Sequence, residues 1–169
     1  MADRFEAPTA WSAERPETLV VCCSDGRWHA QVVEFVRALV SERPDFYAVP
    51  GGAVSLDLWS SSLEEAWAAE RSFRFLAHHH ELASVWLIAH EACAFYRSRY
   101  AYLSDSELKT RQVEDLVRAE ANLRRWMPGI EVHQVYARVE EGRVVFDIGA
   151  PSPLDRDAAG IVTGPTTER

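Results

Sequence analysis

The chain alternates short apolar runs with longer amphipathic stretches. Thr18-Leu19-Val20-Val21-Cys22-Cys23 is a run of β-branched and aliphatic residues that ends abruptly at Ser24-Asp25-Gly26-Arg27, which predicts a strand covered on both faces and opening into a turn. Beyond it, apolar residues at Trp28, Val32, Phe35, Val36, Leu39 and Val40 recur at intervals of three and four, so an amphipathic helix is expected, ending before Pro44. Asp45-Phe46-Tyr47-Ala48-Val49 reads as a second strand. Pro50-Gly51-Gly52 follows as a turn in which two residues free to take positive φ let the backbone come close to a ligand or another chain.

The alternation continues downstream. Ser61-x-x-Glu64 or Ser62-x-x-Glu65 offers a capping box for a helix whose core stripe is Ala66, Ala69, Phe73, Leu76 and Ala77 and which stops at His78-His79-His80. Ser84-Val85-Trp86-Leu87-Ile88-Ala89 is a third strand, leading into His90-Glu91-Ala92-Cys93. Ser104-x-x-Glu107 caps a further helix that runs toward Pro128, with Val113, Leu116, Val117 and Leu123 facing the core. Ile130 to Val139 and Val144 to Ile148 flank Glu141-Gly142 and predict a hairpin. Strands alternating with helices define an α/β class with a mainly parallel central sheet flanked by helices, the C-terminal β-hairpin lying at one edge. Residues 1–17 are expected to form an N-terminal arm, 18–149 the α/β domain, and 150–169 a mobile tail.

Composition narrows the function classes. A formal charge of −8 without clustered Lys and Arg argues against nucleic acid as a partner. The apolar stretch near Leu82 to Ala89 is too short to cross a bilayer, and residues 1–17 lack the apolar core of a signal peptide, so no membrane association and a cytoplasmic location are expected. Three cysteines cannot close a disulfide framework and read instead as buried apolar residues, nucleophiles or metal ligands.

Chemistry collects at the ends of two predicted strands. Cys23, Asp25 and Arg27 occupy alternate positions after the first, and His90 and Cys93, spaced i, i+3, follow the third. In parallel α/β sheets the ligand site lies beyond the carboxyl ends of the strands, so two thiols and one imidazole can converge there. A Cys2His set suits zinc and leaves one coordination position open, the pattern of a catalytic rather than a structural site. Two thiolates offset the charge of Zn²⁺, which makes an aligned acceptor useful. Asp25 can be that acceptor, kept ionised by Arg27 through a bidentate pair. Cys22 is expected to point the other way, into the core, and the histidine run to be a solvated helix end. A thiol phosphatase or sulfurtransferase loop is excluded by spacing, since its five-residue gap between Cys and Arg is absent here.

These motifs resemble those of the β-class carbonic anhydrases. The family's Cys-x-Asp-x-Arg stands here as Cys23-Ser24-Asp25-Gly26-Arg27, and its His-x-x-Cys as His90-Glu91-Ala92-Cys93, in the same order across a strand-helix-strand interval. The resemblance spans roughly Thr18 to Ile148. It implies Zn²⁺ held by Cys23, His90 and Cys93, with Asp25, held by Arg27, aligning the water that hydrates CO2 to bicarbonate, in a homodimer or higher homo-oligomer. It also implies a closed form in which Asp25 takes the fourth metal position. Two alternatives stand beside this expectation: a non-catalytic zinc protein with Asp25 closing the shell, and a hydrolase of COS or CS2. The chain has Val49-Pro50-Gly51-Gly52-Ala53 where the family carries amide side chains, and Ala89, Glu91 and Ala94 around the second motif.

Overall fold

A computed structural model describes residues 4–40, 43–57 and 60–149; the predicted tail, 150–169, lies outside them. The elements run β1 (Thr18–Cys23), α1 (Gly26–Val40), β2 (Asp45–Val49), a 3-10 turn (Gly52–Leu56), α2 (Leu63–His80), β3 (Ser84–His90), α3 (Ala94–Arg99), α4 (Asp105–Trp126), β4 (Glu131–Glu140) and β5 (Arg143–Ile148). Residues 4–17 contribute no helix or strand.

The five strands form one sheet in the order β2-β1-β3-β4-β5. β1 pairs in parallel with β2 and β3, and β3 in parallel with β4, whereas β4 and β5 pair antiparallel. The architecture is therefore the expected one, with β1 in the interior of the sheet and covered on both faces: Leu19, Val20 and Val21 are wholly buried. Period-two alternation sorts its side chains. Leu19 and Val21, with Val85, Leu87 and Ala89 of β3, pack against Phe73 of α2 and Val113, Leu116, Ala119 and Leu123 of α4. Val20 and Cys22, with Ile88 and Val135, pack against Val32 and Val36 of α1. Full burial of each such Val, Leu or Phe stabilises by about 1.5–3 kcal/mol.

Local signals fix the boundaries. Ser62 and Ser104 each accept the N–H of the residue three further on, Glu65 and Glu107, whose carboxylates reach back to the serine N–H. Glu141 and Gly142 both take positive φ, at 48° and 78°, as a two-residue hairpin connection requires. Leu39, expected in the core stripe of α1, is half exposed in its last turn. Val117 is only half buried, because the inward face of α4 includes Gln112, Asp115 and Asn122.

Gly51 and Gly52 have φ of 77° and 59°. A methyl group at Gly52 would stand 2.9 Å from the Cys22 carbonyl carbon and 3.0 Å from the Cys23 nitrogen, and one at Gly51 2.6 Å from Phe95 Cδ1. The close approach expected of this turn is thus made to the chain's own first strand and α3. Among the described residues, no helix is long and apolar enough to cross a membrane.

Candidate metal centre

β1 and β3 lie side by side in parallel, with Cys22 opposite Ile88, so both strands end at the same edge of the sheet. Cys23, the last residue of β1, turns toward the face that carries α3 and packs near Cys93, Val54 and Tyr96. His90, the last residue of β3, has the opposite parity and lies against Trp28 of α1, with ring centroids 4.7 Å apart. Cys93 follows at the start of α3. One ligand atom from each of Cys23, His90 and Cys93 falls within 4.8 Å of the others, and the two sulfurs are 3.8 Å apart.

The imidazole is set for a ligand on one side only. His90 Nδ1 lies 2.7 Å from the Glu91 carbonyl oxygen, which can only accept, so Nδ1 carries the proton. Nε2 is buried and makes no regular hydrogen bond among the described residues; it faces the sulfurs. A buried polar nitrogen without a partner costs about 1–3 kcal/mol, and a metal ion is the occupant that nitrogen and two sulfurs would jointly satisfy.

The thiols differ. The Cys93 thiol opposite is the main cause that holds the Cys23 thiol well below its ordinary range, against the opposing effect of burial. Cys93, which donates to that sulfur and is itself buried, is pushed up. Cys22 points into the α1-side core, as expected, and burial raises its thiol to about 11, which leaves it inert. In metal-free protein, Cys23 is therefore expected to react with iodoacetamide at a rate already level at pH 7, since the thiolate is the nucleophile and is fully formed there; an ordinary thiol would still be speeding up toward pH 9. Peptide mapping across pH 5–9 measures this. A rate that climbs tenfold per unit through pH 7–8 contradicts the assignment, and added Zn²⁺ should protect the same cysteine.

Asp25 immediately precedes α1, and its Oδ1 accepts the Arg27 N–H at 3.1 Å, capping the helix. The Arg27 side chain, two residues on, folds back onto the same carboxylate, with Nε 3.0 Å from Oδ1 and Nη2 2.5 Å from Oδ2. The Arg27 hydrogen bond is the main cause that holds Asp25 down to about 2. Both carboxylate oxygens are thus committed to Arg27. Glu91 turns away: its Oε1 accepts the Val139 N–H at 2.6 Å, at the end of β4.

Of the histidine run, His78 and His79 are exposed, while His80 Nδ1 meets Asp45 Oδ2 at 2.5 Å, bracing α2 against β2. Sequence reasoning did not find the buried polar residues behind the centre. Gln112 Nε2 donates to the His90 carbonyl at 2.8 Å, and Tyr96 OH to Asp115 Oδ2 at 2.8 Å. Their signal was present as breaks in the apolar period of α4.

The α/β fold, with its five-stranded, mainly parallel sheet flanked by helices, matches that of β-carbonic anhydrase structures. The chain aligns with the β-carbonic anhydrase isoform I of Trichomonas vaginalis at 13% identity, over 85% of this chain and 88% of that one, with a TM-score of 0.51. Carbonic anhydrase from Streptococcus mutans aligns at 17% identity over 82% and 86% with a TM-score of 0.51, and the β-carbonic anhydrase CcaA at 18% over 82% and 85% with a TM-score of 0.50. At these identities the likeness is one of fold. No family model and no curated protein matches the sequence.

Proposed function

We propose that the protein is a zinc-dependent, carbonic-anhydrase-like lyase that hydrates CO2 to bicarbonate. The observation that carries this reading is the convergence of His90 Nε2 with the Cys23 and Cys93 sulfurs, beside a carboxylate that Arg27 holds ionised. Two sulfurs bound at about 2.3 Å in a tetrahedral shell stand about 3.8 Å apart, and the separation here is 3.8 Å.

Zn²⁺ held by Cys23, His90 and Cys93 would supply a Lewis acid that acidifies water for attack on the carbon of CO2 at neutral pH. The protein's own residues supply the alignment. Asp25, ionised and fixed by two guanidinium contacts, accepts a hydrogen bond from the attacking water and orients its lone pair. Arg27, two-thirds exposed, offsets the Asp25 charge at the mouth, so that an anionic product does not face an unpaired carboxylate there. Because Arg27 occupies both oxygens of Asp25, the arrangement supports a site with an open fourth position over one that Asp25 closes.

Stopped-flow CO2 hydration by metal-replete protein at pH 7 and pH 9 tests the proposal. Zinc-dependent acceleration is expected; its absence at both values, with zinc fully bound, overturns it. Asp25→Ala should keep its zinc and lose about 10²-fold in kcat. Unchanged turnover removes Asp25 from the reaction.

A further inference from the structure

A helix packed on a sheet is expected to bury an apolar stripe, yet α4 buries Gln112, Asp115 and Asn122 among Leu108, Val113, Leu116, Ala119 and Leu123. Burying amides and carboxylates is unfavourable unless their bonds are made inside, so the destination of those bonds is informative. Gln112, 3% exposed, donates to the His90 carbonyl and accepts from Tyr136 OH at 3.3 Å. Asp115, wholly buried, accepts from Tyr96 OH. Tyr96 is the third residue of α3 and packs with Cys93, the residue that precedes that helix.

Two bonds from one face of α4, three residues apart, therefore grip the loop on either side of Cys93: at His90 before it and at Tyr96 after it. Between those anchors Ala92 holds φ at 52°, a left-handed conformation that a residue with a Cβ keeps only when its surroundings impose it. The strain sits between two ligand positions and inside the grip.

We propose that α4 is the positioning element of the metal centre, with Gln112 and Asp115 holding residues 90–96 in the ligand-bearing conformation before any metal arrives. The inference rests on the metal-site reading above. Gln112 and Asp115 are positioning residues that touch neither metal nor substrate. Asn122 supplies a matched comparison: its Nδ2 donates to the Leu56 carbonyl at 2.8 Å, an equivalent buried bond from the same helix to a residue that offers nothing to the centre.

The experiment uses the full chain, stripped and reloaded, with Zn²⁺ affinity read by chelator competition, the Co²⁺-loaded absorption spectrum as a report on coordination geometry, and melting of the metal-free protein. Gln112→Met and Tyr96→Phe are expected to weaken Zn²⁺ binding by about 10–100-fold, the usual cost of losing an outer support, and to shift the Co²⁺ bands. Asn122→Leu should lower the melting temperature comparably while leaving affinity and spectrum as in wild type. Should Gln112→Met fail to fold, Tyr96→Phe, which loses one hydroxyl, carries the same test. Unchanged affinity in both loop-side variants, or an equal loss in Asn122→Leu, overturns the positioning role and leaves α4 a scaffold only. Wild-type protein that binds neither Zn²⁺ nor Co²⁺ defeats the metal-site reading itself, a separate and distinguishable failure.

Discussion

His90→Ala protein is expected to bind Zn²⁺ about 10³-fold more weakly than wild type and to lose CO2 hydration with it. Structural zinc sites draw about 10–16 kcal/mol from their ligands together, so one ligand accounts for about 4 kcal/mol, or about 10³ in affinity. Cys93→Ser should behave alike, because a serine hydroxyl at that position stays protonated where a thiolate would form. Chelator competition gives the affinities directly. The contrast between metal-free and metal-loaded melting supplies the second reading: wild type should gain stability from Zn²⁺ as the logarithm of its concentration, and the two variants should gain little. Were the three residues merely two buried cysteines and a core histidine, substitution would lower the melting temperature of the metal-free protein and Zn²⁺ would raise none of them. A loss of less than tenfold in affinity rejects His90 as a ligand.

The residues that define this centre were legible because each announces itself locally. Val20 and Val21 followed by a Ser/Asp/Gly cluster mark a strand end, and the i, i+3 spacing of His90 and Cys93 marks a second turn of the same kind. The pairing of Arg27 with Asp25 was expected from their positions, whereas the role of Asp25 as the cap of α1 was not. What the sequence withheld was parity and partnership. Cys23 and His90 reach the centre from opposite faces of the sheet, one on the α3 side and one against Trp28, which follows only from the register of β1 against β3. Gly51 and Gly52 signalled a close approach without saying to what; the answer is the Cys22–Cys23 backbone and Phe95. The polar positions of α4 read along the chain as imperfections in an apolar stripe, since nothing local shows that Gln112 faces a carbonyl at the end of a strand twenty-two residues earlier.

The largest effect on folding is expected at Arg118, which is itself none of the three candidate ligands. Its Nε lies 2.7 Å from Asp57 Oδ2, and its Nη2 contacts Asp115 Oδ1. Both carboxylates are wholly buried, so the guanidinium is the bridge that lets two like charges share one interior. Arg111 adds a second cation, its Nε 3.3 Å from Asp115 Oδ1, and Ser60 Oγ donates to the same oxygen at 2.9 Å. Asp57, Asp115, Arg111 and Arg118 balance in charge, and the more exposed Glu114 Oε2 lies 3.8 Å from Arg118 Nη1. Arg118→Met keeps much of the apolar stem and deletes one positive charge, leaving the two buried carboxylates with one cation fewer. Removal of one partner from a buried pair costs about 3–5 kcal/mol, and the lower end applies because Arg118 keeps 31% of its side chain exposed. For a chain of this size that is a fall of about 10 °C in melting temperature. Arg118→Lys, which restores the charge without the two-pronged geometry, should recover part of it. A destabilisation by Arg118→Met within about 0.5 kcal/mol, the range of an ordinary surface substitution, would show that the cluster carries no structural weight. Because Asp115 also receives the Tyr96 hydroxyl, the same substitution should slacken the loop bearing Cys93, so Zn²⁺ affinity is expected to fall alongside stability, by less than in Gln112→Met.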